Sequence, residues 1–204
     1  NLLKNLTKKD KRIKLYINKK NLGAGRSRNK GIKLCQGSLI AFLDADDLWT
    51  RNKLKKQIFF MKKSLVDISH TSYHIINSDN KKIGNRIAKD MNHKLLLSSC
   101  DIGLSTVIMK KKIITNKIKF ANINTKEDYV LWLKITLDNK KIFALKNNLT
   151  KWRKLNDSLS ASKIQKLYDG YLVYRKYMNF SIAKSFFRLL LLSFNYGLKG
   201  LRNK

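Results

Sequence analysis

Proline is missing from all 204 residues, where average usage would supply about 5%. Together with abundant Lys, Asn and Ile, that gap reads as a genome-wide compositional bias, which other sequences from the same source would check. Acidic residues are scarce: 13 Asp and Glu face 45 Lys and Arg, for a formal charge of +32. Such a balance invites a nucleic-acid reading. Arginine is also scarce, however, since 36 of the 45 basic residues are Lys, scattered along the chain. The guanidinium fork suited to bidentate base and phosphate contacts is therefore rare. RGG tracts, zinc-ligand arrays and a recognition-helix motif are lacking too. A basic nucleic-acid-binding protein stays as a minor alternative, and the excess charge can also favour an anionic membrane surface.

Cysteine is nearly absent. Cys35 and Cys100 lack metal-ligand spacing and read as small buried apolar residues of a reducing compartment. No signal peptide is visible, and no apolar run is long enough to span a bilayer. The richest, Phe186-Phe187-Arg188-Leu189-Leu190-Leu191-Leu192, is short and carries Arg188 at its centre. An interfacial helix and a helix packed on the domain both fit it. An initiator Met is also missing, and residues 1–10 read as the tail of a helix, so a fragment or truncated reading frame is expected.

What is present alternates between strand and helix signals, which argues for an α/β sheet. Residues 13–17 alternate and read as a strand. A loop with two glycines leads to a helix over 25–36, with Gly37 as its stop. Residues 38–43 form a short apolar run of the kind buried on both faces of a parallel sheet, with neighbours on both sides. Thr50 is placed to cap a helix over 51–63 that buries Leu54, Ile58 and Met61. Strands are expected at 66–76, near Ile83, at 106–109, 141–145 and 149–153. Helices are expected at 94–99, 129–137, 162–178 and 181–199. The division is a domain over 1–160 and a C-terminal helical segment over 161–204.

The apolar run ends in Asp44-Ala45-Asp46-Asp47. A buried strand should not end in so much like charge unless something neutralises it. Carboxylates spaced D-x-D at a strand's C-terminal edge can hold a hard divalent cation and, through it, a diphosphate. An acidic solvated turn before a helix N-terminus is the plainer reading.

Three further pieces occur with it in order. Ahead lies Asn21-Leu-Gly-Ala-Gly-Arg-Ser-Arg28-Asn29-Lys-Gly31. The D-x-D piece itself begins at Gly37, runs on through Leu48-Trp49 and is followed by Lys53-Leu54 and Gln57; behind it lie Ile102-Gly-Leu-Ser-Thr106-Val, then Glu127-Asp128-Tyr-Val-Leu-Trp132-Leu. In combination they resemble the inverting family 2 glycosyltransferases of GT-A fold, on the branch that builds bacterial surface polysaccharides. The likeness covers roughly residues 13–178.

That resemblance implies an α/β GT-A fold, a Rossmann-like nucleotide-diphospho-sugar transferase with a mixed sheet flanked by helices. It implies transfer of a sugar, with inversion, from a nucleotide-sugar donor to a growing glycan or lipid-linked glycan, and no role for nucleic acid. Mg²⁺ or Mn²⁺ would be held by Asp46 and Asp44, with Asp44 also facing the donor ribose. Asp47 would support that shell or cap the next helix. Arg28 would contact the nucleotide and Asn29 would shape the pocket wall. Asp128 would be the catalytic base, Glu127 would orient the acceptor, and Trp132 with Tyr129 would supply an apolar wall. Isolated acids in a first helical turn are common simply because the dipole stabilises them. Trp152-Arg153 with Ser158-Leu-Ser160 is similar to the family's late Y-R…S-x-S stretch, with Trp in place of Tyr. A salt bridge and a place near the diphosphate both fit Arg153. His70, His74 and His93 lack metal spacing and read as structural.

The resemblance also places a first strand, an early helix and a second strand ahead of residue 1. The chain is therefore expected to be an N-terminally truncated enzyme, inactive alone. An inactive remnant or membrane-associated scaffold is the alternative. The expected location is cytoplasmic, with peripheral contact at the inner face of the cell membrane as an option.

Overall fold

The computed structural model describes residues 2–137, 139–155 and 162–201. Helix α1 (Leu2–Lys9) leads through an irregular stretch to α2 (Gly23–Leu34), β1 (Leu39–Ala41), β2 (Leu48–Trp49) and α3 (Lys53–Lys63). A hairpin of β3 (Ile68–Ile76) and β4 (Lys82–Arg86) follows, then α4 (His93–Leu96), a 3₁₀ turn over 104–106 and β5 (Ile108–Lys110). Helix α5 (Glu127–Thr136), β6 (Phe143–Arg153), α6 (Lys163–Leu172), a π-type turn over 173–177 and α7 (Ile182–Leu201) complete the order.

The strands form one mixed sheet in the order β1-β5-β3-β6-β2, with β4 also on β3. Only β3 and β6 run parallel; β1–β5, β2–β6, β3–β4 and β3–β5 are antiparallel. The long β3–β6 pair is its spine. Bulges near Ser72 let β6 run continuously through the span read as two strands, 141–145 and 149–153. Helix α5 is the core helix. Its Tyr129, Val130, Leu131, Trp132, Leu133 and Ile135 are all essentially buried, a helix apolar nearly all round, as central burial requires. Val173, Tyr174 and Leu192 join the same core, so the C-terminal helices pack on the body of the sheet.

Four sequence expectations are corrected. Residues 13–17 are not a strand: Ile13, Leu15, Tyr16 and Ile17 are exposed and join no ladder. Alternation gives a strand only where an edge is available to pair with. The run 38–43 lies at the end of the sheet, paired with β5 alone, and Leu43 is half exposed. Beside it Leu39, Ile58, Met61 and Val66 line an open groove. Thr50 does not cap α3. Asn52 takes that position without a side-chain cap, and the Thr50 hydroxyl bonds to Asn52 instead. Helix α3 also buries a different face, Lys53, Gln57 and Met61, while Leu54 is 43% exposed.

That polar burial is fully explained by partners. Gln57 Nε2 donates to the carbonyls of Ser69 and Thr106 and to the Ser69 hydroxyl at 2.9–3.1 Å. Lys53 Nζ donates to Gln57 Oε1 at 2.7 Å and sits 4.6 Å from the Trp49 ring centre. Cys100 is partly buried, but Cys35, just past the end of α2, is exposed.

Candidate active site

The D-x-D turn sits where β1 leaves the sheet. Its backbone is held from the sheet side. The Asp44 N–H donates to the Ser105 hydroxyl at 3.0 Å. The Ser105 carbonyl accepts from Trp49 Nε1 at 2.7 Å and from the Thr150 hydroxyl at 3.3 Å. The Asp47 N–H closes the turn on the Asp44 carbonyl at 3.1 Å.

Arg153 clamps the same turn from β6. Its N–H donates to Asp47 Oδ1 at 2.9 Å and its Nε to the Asp46 carbonyl at 2.8 Å. The rest of the guanidinium fork reaches the carbonyls of Asn77 and Ser78 and the Asn80 side chain. Arg153 thus fastens two loops together through backbone acceptors, a role that neither a salt bridge nor a diphosphate contact anticipates. Ser105 and the Lys53–Gln57 pair are further supports that motif reading did not single out as functional, although all lie within the quoted motif pieces. Ser158 and Ser160 lie outside the described residues.

Asp47 is buried, and burial lifts its pKa to about 6, helped by the charges of Asp46 and Asp44 and opposed by the Ser105 hydroxyl and the Arg153 N–H. Asp46 is half-buried, and no hydrogen bond or ion pair to its carboxylate occurs among the described residues. No three His, Cys, Asp or Glu side chains converge on a point among the described residues. The donor set therefore fits a divalent cation only as a partial oxygen shell, completed by phosphate and water. That is how Mg²⁺ is commonly held, by one or two carboxylates together with substrate phosphates.

Helix α2 carries Arg28 into the gap between this turn and α5. Arg28 Nη2 meets Asp44 Oδ1 at 2.7 Å, Nη1 bonds to Glu127 Oε1, and the guanidinium lies 5.6 Å from the Phe120 ring centre. Burial works against its charge, but Asp44 and Glu127 outweigh burial and hold its pKa above the ordinary value. Arg28 is therefore the counter-charge that the apolar run into three carboxylates requires, and it ties two motifs far apart in sequence to each other.

Asn29 fastens α2 to the 120–121 loop. Its amide bonds both ways to the backbone of Phe120, Nδ2 to the carbonyl at 2.9 Å and Oδ1 from the N–H at 3.0 Å. Gly25, one turn earlier, lets the same loop come close. A methyl group there would sit 2.2 Å from the Ala121 carbonyl oxygen.

At the start of α5, Lys126 takes left-handed backbone angles, φ 61°, and turns the chain into the helix. Glu127 is 8% exposed. Asp128 is half-buried and accepts the Tyr129 N–H at 2.7 Å. Burial and the neighbouring Glu127 charge push its pKa up to about 7, against the pull of Arg28 and the Tyr129 N–H. Trp132 is fully buried in the core, and its indole N–H has no partner among the described residues. It supports the site from beneath and offers no surface to a substrate.

Arg28, Asp44, Glu127 and Asp128 thus meet in one place, with Asp46 and Asp47 on the adjoining turn. The sequence pattern described as "Glycosyl transferase family 2" matches residues 1–132. The chain belongs to that family. Among curated relatives it is 35% identical over 183 residues to the Escherichia coli UDP-Glc:alpha-D-GlcNAc-diphosphoundecaprenol beta-1,3-glucosyltransferase WfgD, covering 88% of this chain and 71% of that protein. It is 30% identical over 177 residues to the Bacillus subtilis putative teichuronic acid biosynthesis glycosyltransferase TuaG, covering 86% and 70%. The fold matches that of S. aureus TarS, solved with UDP-GlcNAc, at a TM-score of 0.67 and 17% identity, covering 94% of this chain and 59% of that one. The architecture is thus GT-A, and the family is one of transferases related to those that build bacterial surface polysaccharides.

Proposed function

We propose that this chain carries the reaction centre of an inverting glycosyltransferase that moves a sugar from a nucleoside-diphosphate donor to a hydroxyl of a growing surface glycan. The observation that carries the reading is the Arg28 bridge. It holds a D-x-D carboxylate and the acid before Asp128 on one guanidinium, so diphosphate-facing and acceptor-facing chemistry share a site. Two relatives support this donor and acceptor class, one named for a UDP-Glc donor and an alpha-D-GlcNAc-diphosphoundecaprenol acceptor, the other for teichuronic acid biosynthesis.

Asp128 has the role of base. In a single displacement the acceptor oxygen attacks the anomeric carbon opposite the leaving diphosphate, and one carboxylate removes its proton. A carboxylate with a pKa near 7 matches that task at neutral pH. Glu127 raises the pKa by repulsion and anchors Arg28. Asp46 and Asp44 would hold Mg²⁺ or Mn²⁺, which supplies Lewis-acid stabilisation of the departing diphosphate. Asp47, buried and fastened to Arg153, fixes the turn that presents them.

A lipid-linked acceptor would put the work at a membrane surface. No helix among the described residues is long and apolar enough to cross a membrane. Phe186, Phe187, Leu190 and Phe194 on α7 are each more than half exposed, which supports peripheral contact at the inner face of the cell membrane.

The test mixes the full-length protein that carries this chain with UDP-glucose, Mn²⁺ and a diphospholipid-linked GlcNAc acceptor and follows release of UDP. Metal-dependent release that falls at least tenfold in Asp46→Asn is expected. Release that is equal with and without metal, or equal in the variant, would remove the D-x-D carboxylates from the reaction.

A further inference from the structure

Asp169 on α6 is a buried carboxylate, 2% exposed, with no basic partner among the described residues. Its Oδ2 accepts two bonds from one residue, the Thr125 N–H at 2.7 Å and the Thr125 hydroxyl at 2.8 Å. Oδ1 accepts Gln165 Nε2 at 3.0 Å. A charge kept out of water is retained only where hydrogen bonds satisfy it, and these do so on the loop two residues before Glu127.

What that loop needs is restraint. Lys126 sits in the left-handed region, which is sterically unfavourable for a residue with a side chain. Such a conformation persists only where its surroundings over-determine it. On one side the Thr125 backbone is fixed by Asp169. On the other the Lys126 carbonyl accepts the Val130 N–H at 3.2 Å. Gly170, next to Asp169, brings α6 against both neighbours. A methyl group there would meet Leu189 at 2.8 Å and the Lys126 side chain at 3.4 Å. One turn on, the Tyr174 and Tyr129 hydroxyls lie 2.9 Å apart.

We propose that Asp169 is the positioning residue for the Glu127–Asp128 turn, which makes α6 part of the catalytic apparatus although it touches no reacting atom. This rests on the reading of Asp128 as the base. The helix lies beyond the residues that match the family pattern. The charged carboxylate draws the Thr125 amide and hydroxyl onto one oxygen, which sets the entry angle of α5 and with it the direction in which Asp128 points.

The test compares the full chain with Asp169→Asn, Thr125→Val and Thr125→Ser. Two readouts are taken: amide hydrogen exchange across 121–133, and kcat and KM for UDP-glucose with a lipid-linked acceptor. In Asp169→Asn, exchange should quicken at 122–129 and stay unchanged in β3 and β6. The kcat should fall by about 10²-fold, the usual cost of an ångström-scale misplacement, while KM for the donor moves less than about twofold. Thr125→Val should lie between, and Thr125→Ser, which keeps the hydroxyl bond, should lose less than Thr125→Val. Unchanged exchange at 122–129, or exchange that quickens equally throughout the core, would overturn the proposal. So would a kcat within about twofold of wild type in Asp169→Asn. If the full-length protein that carries this chain transfers no sugar, the base reading fails on its own, and the exchange pattern in the chain still decides whether Asp169 holds the turn.

Discussion

The two acidic turns of the site are built in opposite ways. The D-x-D turn is pinned by its backbone, through Ser105 and Arg153, and leaves Asp46 half-buried without a protein partner among the described residues. The Glu127–Asp128 turn is pinned through side chains, those of Arg28 and Asp169, with Glu127 buried and Asp128 half-buried against it. Asp46 is thereby left for a cation or a diphosphate. Asp128 instead holds its proton to higher pH, at about 7, because burial and the neighbouring Glu127 charge disfavour its ionised form. The same residue type thus serves two kinds of chemistry, and its neighbours decide which.

The largest break in that contrast should come from Asp128→Asn. Turnover should fall by roughly 10²–10⁴-fold, with donor binding kept, as measured by kcat and by calorimetric titration with UDP. Stability should move the other way. A carboxyl whose pKa is raised in the folded state favours folding while protonated, and that contribution fades as pH climbs from about 4 towards 7. The Asn variant should therefore melt higher than the parent at pH 8, with the advantage shrinking at pH 4. An equal offset at both pH values would detach Asp128 from its shift.

Next in size is Gly25→Ala. A methyl group 2.2 Å from the Ala121 carbonyl oxygen cannot be accommodated without moving backbone. The expected cost is about 1–3 kcal/mol, read by urea unfolding. Activity of the folded fraction should also fall, because Arg28 and Asn29 ride on the same helix. A variant as stable as the parent would mean that α2 and the 120–121 loop are not locked together.

Arg153→Lys tests the backbone-pinned turn. Lysine keeps the charge but loses the fork that reaches Asp46, Asn77, Ser78 and Asn80 at once. Losing about 1–2 kcal/mol of hydrogen bonding should weaken Mn²⁺-dependent UDP binding by roughly tenfold and leave the pH–rate profile in place. Movement of that profile would show the two turns to be coupled.

The smallest effect is expected from Glu127→Gln, and it sharpens the contrast. Activity should rise with pH as Asp128 loses its proton near 7. Removing the Glu127 charge removes a cause of that elevation, so the rising limb should shift to lower pH. A shift to higher pH would show that the loosened Arg28, and not like-charge repulsion, governs the base.

Much of this was legible beforehand. The D-x-D motif and the α/β order were visible as residue types at given spacings, whereas Arg28 and the Glu-Asp pair were legible only through the resemblance of the ordered motif pieces to a family. Local pattern also placed α2, α5 and β3 to within a few residues of their bounds. It failed at residues 13–17, because a strand forms only where an edge is available to pair with; the run ending in Leu43 does form a strand, but with one neighbour in place of the two that a parallel sheet would give it. It failed at α3 as well, where Leu54 was expected inside and Lys53 and Gln57 are buried instead. Only the fold supplies Trp49, Ser69 and Thr106 as their partners.

By itself, then, the sequence determined which chemical groups exist, in what order, and that three adjacent carboxylates needed a counter-charge. The tertiary structure decided that Arg28 is that counter-charge, that Asn29 and Arg153 fasten loops, and that Asp128 has a buried Glu127 and the Tyr129 N–H beside it while Asp46 has no partner among the described residues. The reason is physical. Charge and hydrogen-bonding capacity belong to a residue, whereas pKa, partner and exposure belong to its surroundings, and here those surroundings come from segments scores of residues away.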